Sequence, residues 1–325
     1  MNTLLPSIKR LLITATLCLS ALLFVVSCGG ASDPGSSSTN MIDTASYVLP
    51  LPSIPSAITE PADRASFLAD HYWDNMDWND TLLLSCDRFM GESMATYGTL
   101  LNIAPLSKAT SAVNALVNRV ASNHRALNTL ADYAYSYFYY PGAPLYDEET
   151  YLLFLNPMLA QKGIPDEEWQ RMRLRKDNIM KNRKGSVATD FRFIGTDGKT
   201  HNLHSMLRDT PYNLLMLYDP DCEVCGDAIS IITASGPFTE AQREGVVKVI
   251  AINPFGQEQG GPALRKNGIP EEWITGYSPD GEMDKQEIYA IRATPAIYVL
   301  DSEGHVLHKD LSINNLADFV NASSE

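Results

Sequence analysis

Cys222-Glu-Val-Cys225 constrains this chain more than any other feature, because of what lies on either side of it. Before it runs Leu214-Leu-Met-Leu-Tyr218, an apolar stretch that predicts a buried strand. After it, Ala228-Ile-Ser-Ile-Ile232 can continue as a helix. Further on, Ala293-Thr-Pro-Ala-Ile-Tyr-Val-Leu-Asp301 puts a proline at the start of another apolar strand. A Cys-x-x-Cys at a strand-to-helix junction, with a later Thr-Pro before a strand, is the pattern of a thiol–disulfide exchange site. The helix N-terminus supplies unpaired N–H groups and partial positive charge, which stabilise a thiolate. The spacing lets both sulfurs meet within one turn, so Cys222 can attack a disulfide and Cys225 can resolve the mixed disulfide.

Residues 1–27 read as an export signal, with Lys9 and Arg10 ahead of an uncharged apolar stretch over 11–26. The ending Val25-Val-Ser-Cys28 resembles a bacterial lipobox, in which the cysteine is acylated and becomes the new N-terminus. A simple membrane anchor is the alternative, but the apolar stretch falls short of the ~20 residues that span a bilayer. The polar run that follows Gly29-Gly30 favours the lipoprotein reading. The expectation is a chain tethered by lipid at Cys28 to the outer side of a bacterial membrane. Taking Lys9 and Arg10 from the 25 basic residues leaves 23 against 39 acidic ones, a net charge of −16. Nucleic acid needs the opposite sign and is not expected as a partner. Of the cysteines beyond the signal, Cys28 is assigned to lipid, Cys222 and Cys225 to chemistry, and Cys86 to a buried apolar position.

Residues 28–56, rich in Ser, Thr and Pro, read as a flexible tether. Residues 57–182 show helical spacing without strand alternation. Pro61 marks one helix start, Ser107 is a candidate cap for another carrying Val113, Leu116, Val117 and Val120, and Leu127 to Phe138 and Tyr151 to Met158 repeat the stripe. A helix over 165–184 carries a basic run, read as a solvated face. From Gly185 the pattern changes to a hairpin around Thr196-Asp-Gly-Lys199, a buried strand over 246–252, a closing hairpin through Asp301-Ser-Glu-Gly304 and a final helix with Ile313, Leu316 and Val320.

On these residues, 185–325 resemble the thioredoxin-like domains of the TlpA and alkyl hydroperoxide reductase/thiol-specific antioxidant group. Residues 57–182, with His71-Tyr-Trp-Asp-Asn75 and Asp147-Glu-Glu-Thr-Tyr151, resemble the uncharacterised helical domain that precedes such modules in Bacteroidetes lipoproteins. The resemblance implies an α/β domain with a central mixed sheet behind an all-α domain. It also implies that Pro295 is the family's cis-proline and that Thr294 with Pro295 forms the substrate platform. The pattern departs from the family at Asp221, where an aromatic is usual, at Met216, where thioredoxins carry a buried acid, and at Ala228. The proton relay for Cys225 is thus open among Asp227, Glu223 and water. Residues 217–221 lack the Pro-x-x-x-Thr/Ser-x-x-Cys loop of peroxiredoxins, which weighs against peroxidase chemistry.

The cysteine pair could instead be half of a zinc site completed by His201 and His204, but those histidines, if extended, would point to opposite faces of a strand. No metal and no organic cofactor are expected. The reading is a membrane-tethered thiol–disulfide oxidoreductase, working in the reducing direction on exported protein disulfides. It requires a separate thiol partner to return electrons. A non-catalytic envelope binding module on a thioredoxin scaffold is the alternative. Asp219, Asp221, Glu223 and Asp227 surround the pair, and this acidity is expected to oppose the Cys222 thiolate and bias the pair toward reduction.

Overall fold

The structure is a computed structural model describing residues 47–140, 142–162, 164–256, 268–316 and 319. The proposed signal, Cys28 and most of the proposed tether lie outside the described residues. The described residues belong to one unit. Within it a helical half precedes a half built on a sheet.

The helical half comprises α1 (Pro61–His71), the short α2 (Thr81–Leu84), α3 (Asp87–Ile103), α4 (Leu106–Val120), α5 (His124–Phe138), α6 (Glu148–Leu159) and α7 (Asp166–Met180). In α4, Ala109, Ala112, Val113, Leu116, Val117 and Val120 are buried, the stripe expected from the 3.6-residue period. In α5 the buried set is Ala126, Leu127, Leu130, Ala131, Ala134 and Phe138. Helix α4 begins after Pro105, not at a Ser107 cap; Ser107 falls inside the first turn, where the fixed φ of the proline has already set the entry. Asp147 caps α6 by accepting from the Glu149 and Thr150 amides, which leaves Glu148 in the first turn facing inward. Helix α3 was not legible as a periodic stripe, yet its Met90, Met94 and Tyr97 are fully buried. It packs closely on α5 at Gly98, where an added Cβ would lie 2.5 Å from the Phe138 ring.

Helix α7 stops at Met180, short of the expected 184, because Lys181 is extended and Asn182 takes a left-handed φ of 48°. Its basic run is not simply a solvated face. The Arg175 guanidinium lies 4.0 Å from the Tyr135 ring centroid and donates to the Tyr151 hydroxyl at 3.2 Å. Beyond the helix, Arg183 pairs with Glu149, and Lys181 meets Glu287 at 2.7 Å.

The sheet half contains β1 (Arg192–Gly195), β2 (Thr200–Asn202), β3 (Tyr212–Leu217), α8 (Glu223–Ala234), α9 (Gly236–Arg243), β4 (Val247–Asn253), β5 (Ile274–Tyr277), α10 (Glu282–Lys285), β6 (Ala296–Asp301) and β7 (Val306–Lys309). The strand order is β2-β1-β5-β4-β3-β6-β7. Strands β3, β4 and β5 run parallel to their neighbours in that trio; β6 lies antiparallel to β3 and β7 to β6. Alternation along β3 divides the core: Leu214, Met216 and Tyr218 pack with α8 and α9, whereas Leu215 and Leu217 pack on the opposite face. Strand β5 was not anticipated, being only four residues with a glycine, and Leu203 opens a 3-10 turn where a hairpin strand was expected. The last helix is described only at its 3-10 entry, Ile313–Asn315, and at Leu316 and Phe319; Val320 lies outside the described residues.

Candidate redox site

Strand β3 ends at Leu217, and the chain turns through Asp219, whose carboxylate accepts from the Asp221 amide at 2.9 Å. The Cys222 amide donates to the Asp219 carbonyl at 3.1 Å, and α8 starts one residue later. Asp and Asn favour such turns because the side chain satisfies a nearby amide. Cys222 is therefore the N-cap of α8, with extended backbone, and its sulfur accepts from the Cys225 amide at 3.3 Å. Cys225 occupies the third helical position and is fully buried, while Cys222 is half-buried. The α8 backbone thus presents N–H groups and its positive end to one sulfur only.

The second part of the site comes from the far end of the sequence. Register pairs Leu217 of β3 with Ala296 of β6, so the residues before Ala296 reach the turn that carries Cys222. The Thr294–Pro295 peptide is cis. In the thiol form, Cys222 donates to the Thr294 carbonyl at 3.6 Å. Cys222, Cys225, Thr294 and Pro295, each picked from sequence, are brought together.

Burial opposes the Cys222 thiolate, but hydrogen bonds from the Cys225 thiol, the Thr294 side chain and the Cys225 and Val224 amides outweigh it and hold the Cys222 pKa below the ordinary thiol value. Burial pushes Cys225 up to about 12, reinforced by its hydrogen bond to Cys222. The two thiols are divided into one ready to ionise and one that keeps its proton. This corrects the expectation that local acidity would set Cys222: Asp221, Glu223 and Asp227 are exposed to high-dielectric water, and the half-buried Asp219 carboxylate is engaged by the Asp221 amide.

His201 does not approach the cysteines as a metal ligand would: its ring meets the Asp197 carboxylate at 3.0 Å. His204, in the 3-10 turn rather than on a strand, lies 2.7 Å from the Ala188 carbonyl. Cys86 is only half-buried, at the start of α3, and packs against the helical core.

A cleft of about 940 Å³ opens beside the pair. Val224, Asp227 and Ile231 of α8 form one side, Ala293 and Pro295 the floor, and residues 142–149 of the helical half the other side. Val224 and Ile231 are more than half exposed, so the α8 wall presents two apolar side chains with the exposed Asp227 between them. The residues that sequence reasoning missed line this cleft. Arg292 meets the Asp310 carboxylate at 2.6 Å and the Tyr139 carbonyl at 3.0 Å, and also donates to the Tyr146 hydroxyl. Lys309 meets Glu148 at 3.1 Å and donates to the Asn178 carbonyl at 2.7 Å. A lone arginine two residues before Thr294 was the available signal; its partners, up to 153 residues away, were not legible.

Comparison with known proteins bears on the fold. A crystal structure of a thioredoxin-like protein from Bacteroides caccae matches with a TM-score of 0.73 and 29% identity, covering 84% of this chain and 98% of that one. The fold is thioredoxin-like. Residues 27–182 match the family described as a domain of unknown function (DUF5106). A conserved protein of unknown function from Bacteroides fragilis is 29% identical, covering 42% of this chain and 98% of that chain, with a TM-score of 0.39. The C-terminal domain of an uncharacterised protein from Bacteroides fragilis is 27% identical over 43% of this chain and 99% of that one, with a TM-score of 0.40. No curated protein matches the chain. The thioredoxin-like half therefore follows a helical domain whose family carries no assigned role.

Proposed function

We propose that this protein is a thiol–disulfide oxidoreductase that reduces disulfides of exported proteins while tethered to a membrane by lipid on Cys28. The observation that carries the reading is the asymmetry of the pair: Cys222 caps α8 and is half-buried, two residues before the cleft-lining Val224, whereas Cys225 is fully buried. The likeness to the thioredoxin-like protein of Bacteroides caccae supports a redox-type function.

In the proposed reaction the Cys222 thiolate attacks one sulfur of a substrate disulfide. A new S–S bond forms, and the substrate's other sulfur leaves as a thiolate that takes up a proton. Cys225 then loses its proton and attacks the Cys222 sulfur, which releases the second substrate thiol and leaves Cys222–Cys225 oxidised. Two electrons pass to the substrate, and a separate dithiol donor must return them. Thr294 and Pro295 would line the path by which the substrate segment reaches Cys222, between α8 and residues 142–149.

Trapping tests this reading. A Cys225→Ser variant of the mature chain should accumulate mixed disulfides through Cys222, separable on non-reducing gels and identifiable by mass spectrometry. If no mixed disulfide forms with any exported protein or with a model disulfide peptide, the exchange reading fails. The lipid assignment is tested separately: Cys28→Ser should leave an unprocessed precursor without acyl label, and normal processing of that variant would sink it.

A further inference from the structure

We propose that Arg292 is a positioning residue, through which the helical domain holds the Thr294–Pro295 loop against Cys222. The inference rests on the exchange reading and adds to it a role for the helical domain inside the redox site. Arg292 is largely buried, with a side chain 16% exposed. Its guanidinium bonds Asp310, the Tyr139 carbonyl and the Tyr146 hydroxyl, and lies 4.3 Å from the Tyr139 ring centroid and 3.9 Å from the Glu148 carboxylate. Tyr139, Tyr146 and Glu148 belong to the helical half; Asp310 directly follows β7 and takes a left-handed φ of 52°.

Burying a guanidinium is costly, and an apolar residue could hold two domains together at less expense. A planar, five-donor group instead fixes direction, because its partners must sit at set angles around it. What it fixes is the adjoining backbone. Two residues span at most about 7 Å, so Thr294 cannot drift far while Arg292 is held. Thr294 in turn contacts Cys222, by its carbonyl at 3.6 Å and through its side chain. A chain of contacts runs from Tyr146 and Tyr139 through Arg292 and Thr294 to the attacking sulfur. The Lys309–Glu148 pair crosses the same interface, but Lys309 lies on β7 and bonds α7 carbonyls, not the loop. It provides the control.

The mature full chain is the material, and the readout is pH-dependent alkylation of Cys222, resolved by peptide mass spectrometry, with equilibration against glutathione for the potential. Arg292→Met should raise the Cys222 midpoint and slow its alkylation at neutral pH by about tenfold, the effect of one pKa unit, with unfolding still cooperative. Arg292→Lys should fall between that variant and wild type. Tyr146→Phe keeps the charge and removes two bonds of the clamp, the one from Arg292 and the one to Asp310, so a midpoint shift there reads position rather than charge. It also serves if Arg292→Met does not fold. Lys309→Met should lower stability with the Cys222 midpoint unchanged. A wild-type midpoint in Tyr146→Phe, or an equal shift in Lys309→Met, would overturn the proposal. If wild-type protein exchanges no disulfide yet Tyr146→Phe still shifts Cys222, the exchange reading falls and the positioning role stands.

Discussion

The Cys222 sulfur accepts a hydrogen bond from the Cys225 amide at 3.3 Å, so the half-buried thiol is the N-cap of the helix that buries its partner. One contact thereby does two jobs. It satisfies an amide that a helix start would otherwise leave unpaired, and it stabilises the charge that Cys222 must carry to act as a nucleophile.

The first prediction concerns order of reaction. Cys222 is held below the ordinary thiol value and Cys225 is pushed up to about 12, so on raising the pH Cys222 ionises first. In reduced native protein, iodoacetamide should modify Cys222 at neutral pH and leave Cys225 unmodified until the chain unfolds. Equal labelling of both sulfurs in native protein would contradict the assigned roles.

Thr294→Val should raise the Cys222 pKa, because the variant removes a side-chain hydrogen bond that favours the thiolate while keeping a similar shape. Thiolate absorbance followed against pH should show the midpoint moving toward that of a free thiol. The rate of disulfide exchange near neutral pH should fall several-fold, on the order of the tenfold that one pKa unit carries. An unchanged midpoint would remove Thr294 from the site.

Asp221→Asn and Glu223→Gln should leave the Cys222 midpoint nearly where it is, since both carboxylates are exposed to water, whose high dielectric constant weakens their effect on the sulfur. The same titration decides it. A large fall in the midpoint of either variant would restore local acidity as the dominant influence.

Glu148 is buried, with its carboxylate 3.1 Å from the Lys309 ammonium. Glu148→Ala strands that buried ammonium, and breaking such a pair costs about 3–5 kcal/mol. Urea unfolding should show the loss as a lower midpoint. A change below ~1 kcal/mol, the scale of an exposed pair, would mean that the pair is solvated in solution.

Gly98→Val places a branched side chain where even a Cβ would lie 2.5 Å from the Phe138 ring. Overpacking of this kind costs about 1–3 kcal/mol or more. Thermal unfolding should fall accordingly, while Cys222 alkylation in the folded protein stays at the wild-type rate. A wild-type unfolding temperature would show that α3 and α5 can separate freely.

Much of the fold was legible because burial imposes a period on local sequence. The stripe at Val113, Leu116, Val117 and Val120 and the unbroken run at Leu214 to Leu217 each report a face, or two faces, removed from water. Cys222 and Cys225 were legible for a related reason: a helix start confines both sulfurs to one turn, and no distant residue is needed to see it. Helix α3 and strand β5 escaped because their burial comes from neighbours on several sides, through residues such as Gly98 and Gly276 that carry no apolar signal.

The sequence by itself determined most of the strands and helices, where the reactive pair sits, and that a Thr-Pro step precedes a strand. Tertiary structure alone decided what tunes the two thiols apart and what braces the site. Those depend on registers and contacts between distant residues: Leu217 opposite Ala296, Cys225 of α8 sealed in the core against the sheet, and Arg292 bonded to Tyr139 and Tyr146. Local periodicity records how a residue meets water, and it holds no information about which distant charge or carbonyl will stand beside it once the chain has folded.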